Sequence, residues 1–320
     1  MTHKHSSSIT FTCIHVGWPD YPAISSIIDS VKEEDHARVW AYDDLQNDWE
    51  YSSMNFNVSA ITKYKDPQKE YSIIVCLSNE GNVRFFGNDE AEPFEEKIPK
   101  SGVFSKGAEG LGYMTGLNQI GDHLYACGGR CQVYKRQGPK KWIKMDEGIR
   151  QKVDTPIEDC RHLSDINGPS ETEIYASGDH GTVLFWDGGK WSPVECPNYA
   201  DLGQIYVESP DIIWIVGSDG TLLKGNIREG FFNVSPLKEL VFTGVAKCGD
   251  LLYLSSDHGL YGWDGKNMKR VKTGLKPEHT DTHSVGCKDG VLWSVGRKDV
   301  VRLKDGKWTR IDHADNPPIR

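Results

Sequence analysis

Short apolar runs alternate along the chain with turns built from Gly, Asp and Asn. Near the start, Ile9-Thr-Phe-Thr-Cys-Ile-His-Val16 alternates apolar and polar side chains, the period of a half-buried strand. Further on, the runs Gly244 to Cys248 and Leu251 to Leu254 are joined by a Gly-Asp turn. An Asp257-His258-Gly259 turn, a third run and an Asp264-Gly265-Lys266 turn follow. Gly takes positive φ without steric cost and Asp bonds its own backbone, so such turns between β-branched or aromatic runs predict hairpins. The unit therefore reads as four short antiparallel strands. One segment breaks the pattern: Ile24, Ile27, Ile28 and Val31, within Pro22 to Glu34, have helical spacing and predict a short inserted helix.

The unit recurs. Ile174-Tyr-Ala-Ser-Gly-Asp-His-Gly181, Ile213-Trp-Ile-Val-Gly-Ser-Asp-Gly220, Leu252-Tyr-Leu-Ser-Ser-Asp-His-Gly259 and Leu292-Trp-Ser-Val-Gly-Arg-Lys-Asp299 are clear copies, with weaker ones at Ile74 to Gly81 and Leu124 to Cys131. Their anchors, Val75, Tyr125, Tyr175, Trp214, Tyr253 and Trp293, are 50, 50, 39, 39 and 40 residues apart. A degenerate copy anchored at Trp40 lies 35 residues before Val75. Four antiparallel strands repeated at this period predict an all-β fold, a β-propeller of about seven four-stranded blades. The expected organisation is one domain over residues 1–320. Residues 1–60 hold a degenerate first blade and a closing N-terminal strand, 61–313 the repeated blades, and 314–320 a short tail. The N-terminal strand is expected to join the first or last blade.

Aromatic strand, Gly-containing turn, third strand and Asp-Gly-x-Trp together resemble the BNR/Asp-box-like and WD-repeat-like β-propellers of bacteria, over most of the chain after Val39. A full Asp box carries Ser and Asp in the turn before the fourth strand. Here that turn keeps only Asp187-Gly188, Asp264-Gly265 and Asp305-Gly306, and Ser255-Ser-Asp257-His-Gly259 matches half the motif one turn earlier. The resemblance implies an architecture and little about activity.

Charge narrows the function. The chain has 37 basic and 46 acidic residues, a net charge of −9, which disfavours direct binding of nucleic acid and suits a basic partner. No apolar stretch is long enough for a membrane helix, and the first residues lack the features of a secretory signal. The eight Cys are scattered, mostly within apolar runs; reduced, buried thiols in a cytoplasmic protein are expected.

In a propeller, the turns between second and third strands share one face with the connections between blades. The two long repeat spacings put extra residues at Asn88 to Gly116 and Asp146 to Gly168, expected on that face. The candidate partner-binding residues are Asp89, Glu90, Glu92, Phe94, Glu95 and Glu96 from the first insertion and Asp154, Glu158 and Asp159 from the second. Asp179, His180, Asp219, Asp257 and His258 join them from the second-to-third turns.

Little here points to catalysis. The Phe/Tyr-Arg-Ile-Pro motif of sialidases is absent, as are nucleotide-binding glycine loops and a Ser nucleophile elbow. His279-Thr-Asp281-Thr-His283, near Cys287, has two His at helical zinc spacing but leads into a strand, so His283 is expected to hydrogen-bond within its blade. Cys127 and Cys131 lack a second pair. The repeat aromatics are expected between blades. No catalytic residue, metal or cofactor is expected. The sequence thus favours a non-catalytic protein-binding propeller, monomeric or paired with its partner. By analogy with single-domain bacterial binders, it would be an immunity protein inhibiting a basic, nuclease-type toxin. A glycan-binding or sialidase-like glycan-hydrolysing propeller is the alternative.

Overall fold

A computed structural model describes residues 8–31, 36–88 and 92–319. Seven four-stranded antiparallel sheets succeed one another, at residues 9–54, 58–97, 114–144, 163–193, 202–233, 242–270 and 284–310, each with its strands in sequence order. These are blades 1 to 7 of an all-β, seven-bladed β-propeller. Among the described residues, helix is confined to one 3-10 turn at Ile157–Asp159. The chain divides into two compact units, residues 59–239, with blades 2 to 5, and residues 1–58 with 240–320, which carry blades 1, 6 and 7.

The second strand of each repeated blade explains the apolar runs. Glu173–Gly178, Ile212–Gly217, Leu251–Ser256 and Val291–Val295 are buried on both faces along nearly their whole length, so they need no polar alternation. The aromatic anchors Tyr125, Tyr175, Trp214, Tyr253 and Trp293 are all buried. Several reach the following blade. The Tyr125 hydroxyl donates to Glu171, the Tyr175 hydroxyl accepts from the Ile227 amide, and the Trp293 indole donates to the Pro19 carbonyl. Fourth-strand tryptophans fasten backwards. Trp142 donates to Glu96, Trp191 to the Met145 carbonyl and Trp49 to the Asp312 carbonyl.

The first blade corrects the sequence reading. Ala23–Ile28 is its second strand, not a helix; residues 32–34 of the expected helix lie outside the described residues. Ser25 and Ser26 are wholly buried there, with Ser26 accepting from the Trp40 indole and Ser25 bonded to Thr12. Burial of both faces erased the two-residue period and left an accidental helical spacing. Trp40 accordingly lies on the third strand, Ala37–Asp43, rather than at the second-strand anchor position. The N-terminal strand Ile9–His15 is the first strand of blade 1.

Blades 1 and 7 meet without sharing a strand. The Phe11 amide donates to the Arg297 carbonyl at 2.9 Å, Lys298 pairs with Asp29, and Arg302 and Lys304 pair with Asp44. The segment after blade 7 works as a strap: Asn316 accepts from the Ile9 amide, Asp315 pairs with Arg38, and His313 is enclosed by Phe11, Trp40 and Trp49. Burial holds the His313 imidazole down at about 4, so it stays neutral against those rings.

The thiol expectation is also corrected. Cys248 and Cys287, on the first strands of blades 6 and 7, form a disulfide. They are 39 residues apart, one short of the 40 that separate the anchors of these two blades, so each is one position out of register with the other's repeat place. The other six cysteines enter no disulfide.

Candidate partner-binding face

In the unit of blades 2 to 5, one end of each blade carries the turn between its second and third strands together with the connections to neighbouring blades. Backbone bonds tie the two kinds of segment together. The Met114 amide donates to the Asn79 carbonyl, Gly129 to Tyr113, Asp179 to His162 and Ser218 to Asp201, all within 3.0 Å. The turns are tight. His180 and Gly181, and Asp219 and Gly220, all have positive φ, the conformation that matches the twist of a two-residue hairpin. Cys131, which replaces the repeat's Gly, keeps the same left-handed backbone at φ 58°.

Three connections, residues 98–113, 145–162 and 194–201, cover this end. The first is pinned by Glu80. Its carboxylate accepts from the amides of Val103, Phe104 and Ser105 and from the Ser105 hydroxyl, at 2.6–3.2 Å. Burial pushes this carboxyl up, but those bonds outweigh it and leave it below the usual glutamate range. In the second, Arg130 donates to the carbonyls of Lys152 and Thr155, and Gln151 is bonded to the Arg130 carbonyl and to both ends of Asp159 to Arg161. The third is held by Asn198, which donates to Thr221, and by Ala200, which accepts from the Gly181 amide.

These connections present apolar side chains to solvent. Phe104 is 81% exposed, Ile157 86% and Tyr199 68%, with Val153 and Tyr113 also exposed. Phe104 lies against Tyr113, and Tyr199 lies against His180 and Arg161. No periodicity marks these residues in the sequence. The available signal was an aromatic such as Phe104 inside a Gly- and Ser-rich connection, where it has no strand to serve.

The anticipated acidic residues divide. Asp154, Glu158 and Asp159 are exposed on the second connection and enter no ion pair among the described residues. Asp179, His180 and Asp219 lie on the turns of the same end. Asp257 and His258 form an exposed pair at 2.7 Å on the corresponding turn of blade 6, in the other unit. The first acidic run is elsewhere. Phe94, Glu95 and Glu96 belong to the fourth strand of blade 2, Phe94–Lys97, and Glu92 to the turn before it, at the opposite end of the blade. Asp89 and Glu90 lie outside the described residues. Phe94 stacks on Phe85, and Glu95 pairs with Arg84. Glu96 is unavailable to any partner: its fully buried carboxylate accepts from Arg136, the Trp142 indole and the Lys140 amide.

Blade 7 contains a Ser–His–Asp relay in geometry only. His279 Nδ1 is 2.8 Å from Asp299 and Nε2 is 3.0 Å from the Ser294 hydroxyl, with Arg310 on the far side of Asp299. A nucleophile must be reached by its substrate, and His279 and Ser294 are buried. The relay ties the connection before blade 7 to the blade's strands. His279 thus takes the intrablade role expected of His283, whose Nε2 is buried without a partner. Among the described residues no group of three or more His, Cys, Asp or Glu could hold a metal, and no helix is long and apolar enough to cross a membrane.

No family model matches the chain. Solved structures agree on the fold. The WD40 β-propeller domain of Doa1 aligns with a TM-score of 0.60 over 95% of this chain and 98% of that one, at 11% identity. The extracellular domain of a hybrid two-component system from B. thetaiotaomicron aligns with a TM-score of 0.61 at 12% identity. That match covers 93% of this chain, which spans only 38% of the other. A sequence relative is more specific: Immune protein Tsi7 of Pseudomonas aeruginosa is 26% identical over 302 residues, 93% of this chain and 95% of Tsi7.

Proposed function

We propose that this chain is an immunity protein that binds a bacterial toxin and holds it inactive, without catalysis of its own. The observation that carries this reading is the end-to-end match to Immune protein Tsi7. Such a protein needs a surface for a protein partner, and the connection end of blades 2 to 5 offers exposed apolar side chains beside unpaired carboxylates.

The toxin is of the basic, nuclease type. An enzyme that cleaves a polyanion holds it in a cationic cleft, and a chain of net charge −9 complements such a cleft. This predicts one immunity protein per toxin, acting in the cytoplasm where nucleic acid is at risk. The test is growth of cells expressing each nuclease-type toxin of the source genome in turn, one of which this chain must neutralise. Co-expression of this chain should restore growth with that one; continued death with all of them at equal expression of both proteins would refute the proposal.

A further inference from the structure

We infer that the toxin is gripped by three apolar anchors, Phe104, Ile157 and Tyr199, and drawn to them by Asp154, Glu158 and Asp159. This rests on the immunity reading and names the part of the partner it requires: apolar pockets bordered by Lys and Arg.

Clustering is the first support. Among the described residues of the unit of blades 2 to 5, seven large apolar side chains are exposed, and five of them sit on the connections at one end: Phe104, Tyr113, Val153, Ile157 and Tyr199. The other two, Phe94 and Phe232, are on outer strands of separate blades. Scattered apolar side chains are ordinary on a protein surface, whereas a group on one face marks an interaction site. Two of the three anchors are linked through the backbone of this end. Phe104 meets Tyr113, whose carbonyl accepts from Gly129. Gly129 bridges to His162, and neighbouring Arg161 reaches Tyr199.

The second support is pre-organisation. An anchor on a floppy loop loses conformational freedom on binding, which weakens the complex. Glu80 fixes the backbone of Phe104 itself, and Arg130 fixes the segment on both sides of Val153. Nothing in the fold of this end requires an exposed phenyl ring at residue 104, yet four hydrogen bonds to Glu80 hold its segment in place.

The third is charge placement. Glu158 and Asp159 directly follow Ile157 on the 3-10 turn, and Asp154 directly follows Val153. Apolar anchors and free carboxylates therefore arrive together. Long-range attraction would govern capture and apolar burial would govern retention.

Binding kinetics separate these roles, with the purified toxin whose killing this chain relieves as the probe. F104A, I157A and Y199A should each weaken Kd by about thirtyfold through faster dissociation. The D154K/E158K/D159K triple variant should slow association about tenfold at low salt and flatten its salt dependence. All six side chains are exposed, so the variants should fold. E92K/E95K, at the opposite end, should leave both rates unchanged. Wild-type binding with unchanged rates in the anchor and acidic variants, or loss confined to E92K/E95K, would overturn the anchor assignment and leave the immunity reading intact. No binding by the wild-type chain would overturn both.

Discussion

Glu96 and Asp165 are carboxylates that the fold treats in opposite ways. Burial pushes Glu96 up, but bonds from Arg136, the Lys140 amide and Trp142, with the Arg136 charge, bring it below its usual value. Removing one partner of a buried pair leaves the other uncompensated, so Glu96→Ala should cost about 3–5 kcal/mol in urea unfolding. Its neighbour Glu95, half exposed, should tolerate the same change. Nothing in Phe-Glu-Glu-Lys distinguishes the two residues; the Arg and Trp that enclose Glu96 lie about forty residues away in the next blade. Asp165 is enclosed on the first strand of blade 4, accepting from Asn118 and from the Ile166 and Ile205 amides. Burial dominates and raises it to about 7 despite those bonds. The folded state then binds a proton that the unfolded state releases near pH 4, so this stabilising contribution is full below about pH 4 and is lost as pH rises towards 7. Asp165→Asn should remove that slope. Unfolding midpoints at pH 5 and pH 8 check it: the wild type should lose more between them than the variant.

Much of the architecture was legible at the level of elements, because each recurring residue serves its own turn or an adjacent blade. Asp187 and Asp264 accept the amides two and three residues on, closing the turn before the fourth strand. The Trp that follows in blade 4 reaches back to blade 3. The Asp-Gly-x-Trp pattern thus records a hairpin and its fastening, which is why it located blades and carried no information on a ligand. Blade 1 was misread because its second strand is buried on both faces and uses hydrogen-bonded serines in place of apolar residues. The first connection was misread for another reason: Phe94, Glu95 and Glu96 were counted as loop, although they lie on the fourth strand of blade 2. The loop itself, 98–113, depends on Glu80. Glu80→Ala should raise hydrogen exchange at Val103, Phe104 and Ser105 and weaken toxin binding, with little change in global stability. Unchanged exchange at those amides would show that the connection is held by other means.

For the whole molecule, the proposed basic partner rests on the net charge of −9, and its proposed seat rests on the placement of exposed apolar side chains at one end of blades 2 to 5. Stability has a separate control point in the unit of blades 1, 6 and 7, where blades 1 and 7 are joined by side chains and the strap after blade 7. Deleting residues 312–320 removes the Asn316 and Asp312 bonds and the His313 contacts. At roughly 1 kcal/mol for each hydrogen bond, plus the lost aromatic packing, destabilisation of about 3 kcal/mol is expected, read as a lower Tm in the near-ultraviolet signal of the Trp cluster. The most direct measurement of the function and its surface is hydrogen exchange of this chain with and without its toxin. Binding at the assigned face predicts protection of 98–113, 145–162 and 194–201, with residues 187–190 at the opposite end unchanged. Protection confined to the opposite end would contradict that seat, and an unchanged pattern throughout would contradict toxin binding itself.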